Sequence, residues 1–151
     1  EIAITAAASL AHTVFHLGQQ TGLVTNGRDA ADRVQEEGWR GQAKSRTQAR
    51  DAVEMQKKSD RLRPLIVPTR QGDDQFWKIM ISLARLELTD GLTFPELITE
   101  SGPRIPRDAS VVAIVSRVDE QIAIALGNMV RMGYGVTCLI NTYESDLFAN
   151  G

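Results

Sequence analysis

Two apolar runs near the end of the chain, with one amphipathic segment between them, constrain the fold most strongly. SVVAIVS at 110–116 is a continuous apolar run, which is typical of a strand buried on both faces. GVTCLINT at 135–142 predicts a second buried strand, and the apolar residues of 120–131 fall on one helical face. Strands that alternate with helices predict a mostly parallel sheet with helices on both faces.

The same alternation extends through the rest of the chain. Residues 1–20 carry an apolar residue every three or four positions, which predicts a helix. TGLVT at 21–25 predicts a strand that ends in a turn, and PLIVPT at 64–69, with its two prolines, predicts an edge strand. Helices are predicted at 73–88 and at 94–100, and the second opens on a capping-box pattern from Thr93 to Glu96. Gly18 or Gly22 is expected to end the first helix, and Gly133 the helix at 120–131. The predicted fold class is therefore α/β, with a Rossmann-like, open, mostly parallel sheet.

Residues 28–63 differ in composition from the rest of the chain. They contain ten Lys and Arg and seven Asp and Glu among 36 residues, which favours a polar, charged insert within a single domain of residues 1–151. Contact with an acidic partner is an alternative, but the basic residues alternate with acids and only Trp39 could stack on a base. With 17 basic and 19 acidic residues in total, the chain has no bulk positive charge, and we expect no nucleic-acid partner.

Few residues suggest catalytic chemistry. His12 and His16 stand four residues apart, a spacing that can place two imidazoles on one metal ion. The sequence supplies no third ligand and HTVFH lacks the glutamate of a zincin motif, which favours histidines with a surface or packing role. Cys138 lies in an apolar strand pattern and is interpreted as a core residue. No nucleophile elbow or glycine-rich phosphate loop occurs, so the residues do not predict an enzyme.

Four segments follow one another along the chain in a recognisable order: AASLAHTVFHLGQQTGLVTNG, LTDGLTFPELI, RIPRDASVVAIVS and GYGVTCLINTYESD. In these segments and their order the chain resembles the C-terminal part of domain-of-unknown-function family 58, a bacterial family with a von Willebrand factor A-like fold. The resemblance implies a protein–protein interaction role, often beside AAA-type ATPases. The first strand of that fold would precede Glu1, and since the chain begins there without methionine, we expect it to be a piece of a longer protein.

The resemblance also implies three loops that commonly bind a divalent metal ion in this fold. The first loop, D-x-S-x-S, would precede Glu1, and Thr93 stands where the threonine of the second loop would be. In the third loop Ser116 and Arg117 stand where Thr-Asp is expected, and Asp119 belongs to the following helix start. Magnesium prefers oxygen ligands, usually with at least one carboxylate, and Arg117 brings positive charge instead. We therefore expect no cofactor in this chain, and Mg²⁺ only in a full-length domain.

The expected binding surface consists of the loops at the carboxyl ends of the strands, where open α/β sheets usually bind ligands. Its candidate residues are Asn26, Asp90, Thr93, Ser116, Arg117 and Asp119. The leading hypothesis is a non-enzymatic interaction domain whose protein partner belongs to an AAA-type ATPase system. The alternative is a small-molecule-binding or enzymatic α/β domain that uses the same edge.

A missing first strand has a consequence for assembly. In the fold that the chain resembles, that strand lies between the strands near Leu23 and Ala113. Its loss would leave unpaired backbone on both neighbours, so we expect a homo-oligomer. The chain has no run of membrane-spanning length and no signal-peptide pattern. We expect a cytoplasmic location, with the location of the full-length parent left open.

Overall fold

The computed structural model describes residues 1–32, 63–88 and 91–141, so most of the charged segment predicted to be an insert lies outside the described residues. These ranges contain four helices and six strands, and a short 3₁₀ turn follows the third helix. In chain order the elements are α1 (Ile2–His16), β1 (Thr21–Thr25), β2 (Arg28–Asp29), β3 (Leu65–Arg70), α2 (Asp73–Ala84), β4 (Leu86–Glu87), α3 (Phe94–Ser101), the 3₁₀ turn (Gly102–Arg104), β5 (Ser110–Val115), α4 (Glu120–Arg131) and β6 (Gly135–Ile140).

The described strands form three two-stranded sheets, so the α/β class is confirmed while the predicted mostly parallel sheet is not what these strands form. β5 and β6 are parallel, and their register runs from Ser110 opposite Gly135 to Val115 opposite Ile140. β1 pairs antiparallel with β3, and β2 pairs antiparallel with β4. An apolar run predicts that a strand exists, but it does not predict whether the neighbouring strand runs parallel or antiparallel to it. The sequence therefore predicts the strands β1 and β3 but not their antiparallel pairing.

Local sequence determines where most helices begin and end. α1 is followed by Gly18, which has a φ of 66°, and α4 is followed by Gly133, which has a φ of 98°. Both values lie in the left-handed region that glycine adopts without a steric penalty, so both glycines act as helix stops. At the start of α4, the Asp119 carboxylate accepts a hydrogen bond of 2.9 Å from the Ile122 N–H. None of the helices in the described ranges is long and apolar enough to cross a bilayer.

α2 ends earlier than the sequence predicts. Helical periodicity continues to residue 88, but the helix stops at Ala84 and the next residues form β4. β4 pairs with β2, whose residues Arg28 and Asp29 the sequence assigned to the insert. A long-range strand pairing thus replaces the last helical turn, because the backbone groups of Leu86 and Glu87 find partners across the fold.

The main apolar core lies where α1, α2 and β3 meet. Ala11, Val67, Ile79 and Leu83 are buried there, and Leu23 of β1 packs against them. The second strand pair is less covered than predicted. Alternate residues of β5, such as Ala113, are buried, whereas Val112 on the opposite face is 44% exposed and Ile140 of β6 is 56% exposed. The expectation of strands buried on both faces is therefore wrong for β5 and β6. Other parts of the chain pack closely against only one face of β5, because successive side chains point to opposite faces of a strand.

Candidate functional site

The loop after β1 is held against the loop that leads into α3. The side-chain amide of Asn26 donates a hydrogen bond of 2.8 Å to the Leu92 carbonyl, which is 66 residues away in sequence. Within the same turn, the Gly27 N–H donates to the Thr25 hydroxyl over 3.1 Å. Leu92 itself is buried. The structure thereby brings together two of the loops that the sequence assigned to the binding surface.

Thr93 forms the N-cap of α3 through a capping box with Glu96. The Thr93 N–H donates to Glu96 Oε2 over 2.7 Å, and the Thr93 hydroxyl donates to the same oxygen over 2.8 Å. The hydroxyl in turn accepts from the Glu96 N–H over 3.5 Å. The hydrogen bonds from the Thr93 backbone and then from its side chain hold the pKa of Glu96 below its ordinary value of 4.5. Both side chains are therefore engaged in capping the N-terminus of α3.

Ser116, Arg117 and Asp119 follow β5, and all three are exposed. Asp119 is the N-cap of α4, as the sequence predicted. The Asn141 N–H donates to the Val115 carbonyl over 2.7 Å, which ties the end of β6 to the end of β5. Asn26 and Thr93 thus form one group of candidate residues, and Ser116, Arg117 and Asp119 form a second group on the loop after β5. The remaining candidate, Asp90, lies outside the described residues.

Gly27, in the turn after β1, has a structural importance that the sequence does not reveal. A Cβ atom at this position would lie 2.5 Å from Leu86 Cδ1 and 3.0 Å from the Glu87 carbonyl oxygen. The turn after β1 therefore needs glycine because β4 approaches it closely. The Asn-Gly pair predicts a turn here. The close approach of β4 involves residues about 60 positions away, so it cannot be predicted from the residues around Gly27.

The chemistry available on these two groups of loops is polar. They offer the amide of Asn26, the Thr93 hydroxyl, the carboxylates of Glu96 and Asp119 at helix starts, and the exposed guanidinium of Arg117. Within residues 1–32, 63–88 and 91–141, no group of three or more His, Cys, Asp or Glu side chains is placed to hold a metal ion. Such a surface can donate and accept hydrogen bonds and can pair with an acidic group.

Comparisons of the chain with models of known protein families, with curated proteins and with solved structures gave no match.

Proposed function

We propose that this chain is a von Willebrand factor A-like protein–protein interaction domain that acts in the cytoplasm and has no catalytic activity of its own. The observation that carries the proposal is the hydrogen bond from Asn26 to the Leu92 carbonyl, which joins two loops into one continuous surface. A surface built from separate loops and fixed by side-chain to backbone bonds is suited to recognition by shape and polar contacts.

The strand pairings are compatible with an open sheet. In that arrangement, the β3–β1 pair and the β5–β6 pair lie side by side with room for one further strand between them. The contacts of α1 with both β1 and β5 support this arrangement, because one helix then bridges the two pairs. The carboxyl ends of β1 and β5 would lie at the same edge, with Asn26 and Ser116 near each other. β1 and β5 each have one hydrogen-bonded neighbour among the described strands, which favours association of two copies.

The proposal includes a degenerate metal site. The Thr93 hydroxyl is occupied by its capping box, so a metal ion at this oxygen would have to compete with Glu96. Arg117 would repel a cation at the third loop, whereas it would attract an acidic side chain of a partner protein. By resemblance, the partner proposed for this surface is a protein of an AAA-type ATPase system.

Photo-crosslinking from defined positions tests the proposal. A photoreactive phenylalanine analogue is placed at Ser116, and in a second protein at Ile124, which is 51% exposed on α4. Both proteins are produced in cells of the source organism, irradiated, and analysed by mass spectrometry. We expect Ser116 to capture an AAA-type ATPase of that organism, with little capture from Ile124. In the Ser116 protein, Arg117→Glu should lower the yield because it reverses the charge at the surface.

The outcome that would contradict the proposal is a yield of ATPase adduct at Ser116 no higher than at Ile124. Equal yields in the presence and absence of Arg117→Glu would also count against a binding role for this edge. A circular-dichroism spectrum of each variant, compared with that of the unmodified chain, checks that the substitutions leave the fold intact.

A further inference from the structure

The two histidines of the chain converge at the end of α1. The Nε2 atoms of His12 and His16 lie 2.9 Å apart, and both side chains are exposed. Their ring centroids are 4.3 Å apart at an interplanar angle of 73°. The sequence places the residues one helical turn apart, but the convergence of the two nitrogens depends on both side-chain rotamers. This convergence is what a packing role alone does not require.

We propose that His12 and His16 form an open chelate for a divalent transition-metal ion such as Cu²⁺ or Ni²⁺. Two ligand nitrogens that meet a metal at a right angle, each about 2.05 Å from it, lie about 2.9 Å from one another. The observed separation equals that value, so the two nitrogens are already spaced for adjacent positions of a square-planar or octahedral ion. These ions prefer imidazole nitrogen ligands, whereas magnesium prefers oxygen ligands.

Aromatic packing holds the two rings in place. Phe15 stacks on Phe76 of α2 with centroids 4.7 Å apart, and His16 contacts Phe15 edge-on at 5.5 Å. His12 faces Phe76 at 6.0 Å. α1 and α2 pack together in the buried core, so the helices that carry the two phenylalanine rings are held in a fixed relative position. A chelate whose ligands are already oriented loses less conformational entropy when the ion binds.

The position on the helix also favours a cation. His16 is the last residue of α1, where the final carbonyl groups of the helix give a partial negative charge. Between the neutral rings, one Nε2–H donates to the other Nε2. To bind a metal ion, the donor ring moves its proton to Nδ1, so both Nε2 lone pairs face the ion and no net proton is released. Water or an external donor completes the coordination.

Copper titration of the tag-free chain tests this site. His12 and His16 are the two histidines of the whole sequence, so the background from other imidazoles is zero. Cys138→Ser is introduced throughout to remove the thiol. We expect one Cu²⁺ per chain, an electron paramagnetic resonance spectrum with two coupled imidazole nitrogens, and a higher melting temperature with the ion bound. His16→Gln should weaken binding by about 100-fold, because it removes the second arm of the chelate.

A matched control keeps two histidines but moves one of them off the shared face. The double variant His16→Gln, Leu17→His has the same composition of ligands, and Leu17 is 67% exposed and so tolerates the change. It should bind copper as weakly as His16→Gln and show one coupled nitrogen. Equal affinity in the relocated variant and the parent would overturn the proposal, as would a single coupled nitrogen in the parent. Melting temperatures without metal check that all variants fold.

Discussion

Replacing Ile79 by alanine is expected to lower the free energy of unfolding by about 3 kcal/mol. Ile79 is 2% exposed and lies at the centre of the core formed by α1, α2 and β3. The substitution removes three buried carbon atoms and leaves a cavity that the fixed helices cannot close. Urea denaturation followed by circular dichroism measures the change as a lower midpoint with an unchanged slope.

Ile81 provides the matched control for this prediction. It lies on the same helix two residues further along, but it is 46% exposed. Because half of its surface already contacts water, Ile81→Ala should cost less than about 1 kcal/mol. Similar losses for the two variants would contradict the packing of α2 described above, since the orientation of the helix decides which isoleucine is buried.

Gly27→Ala is expected to destabilise the fold by about 2 kcal/mol, because a Cβ at this position overlaps Leu86 and approaches the Glu87 backbone. The Leu86 side chain would have to move and the contact with the Glu87 carbonyl oxygen would be tight, which would strain the adjacent hydrogen bond from Asn26 to Leu92. Thermal unfolding of the variant, together with the amide chemical shifts of Asn26 measured by nuclear magnetic resonance, tests both effects.

The control for Gly27 has the opposite expected sign. Gly127 lies inside α4, and a Cβ built there meets nothing within 4 Å. Gly127→Ala should therefore raise the stability by about 0.5–1 kcal/mol, because alanine has less backbone freedom to lose in a helix. Two losses of equal size would show that the close approach at Gly27 is not the cause of its effect.

The parts of this fold that the sequence predicts are those governed by neighbours in the chain. The capping box at Thr93 and Glu96, the glycine stops at Gly18 and Gly133, and the strand TGLVT depend on contacts within a few residues. Side-chain periodicity and helix capping depend on residues a few positions apart, so they can be predicted from a single sequence.

The parts that it fails to predict depend on contacts between distant segments. α2 ends at Ala84 because β4 pairs with β2, and helical periodicity alone would continue the helix. The antiparallel direction of β3 and the exposure of Val112 likewise depend on which elements become neighbours. Propensity and periodicity are overridden wherever a long-range pairing satisfies the backbone.

For the candidate site, too, the sequence predicts the local features and misses the long-range contacts. It predicts the loops in which the candidate residues occur, and Asp119 acts as the predicted helix cap. The partner of Asn26 is a backbone carbonyl 66 residues away. Every residue has a backbone carbonyl, so the residue type at that position does not indicate the contact. The spacing of His12 and His16 was visible, but whether their nitrogens converge depends on rotamers and on Phe76.

The proposed function rests on the proposal that the loops after β1 and β5 share one edge of an open sheet. A bismaleimide crosslinker that spans about 10 Å tests it in a Cys138→Ser background, with Asn26→Cys paired with Ser116→Cys. With room for one strand between β1 and β5, these positions would be about 10 Å apart, and the start of β5 about 20 Å from Asn26. We expect intramolecular crosslinking of this pair and little crosslinking of Asn26→Cys with Ser110→Cys. Preferential crosslinking of the Ser110→Cys pair would contradict the account.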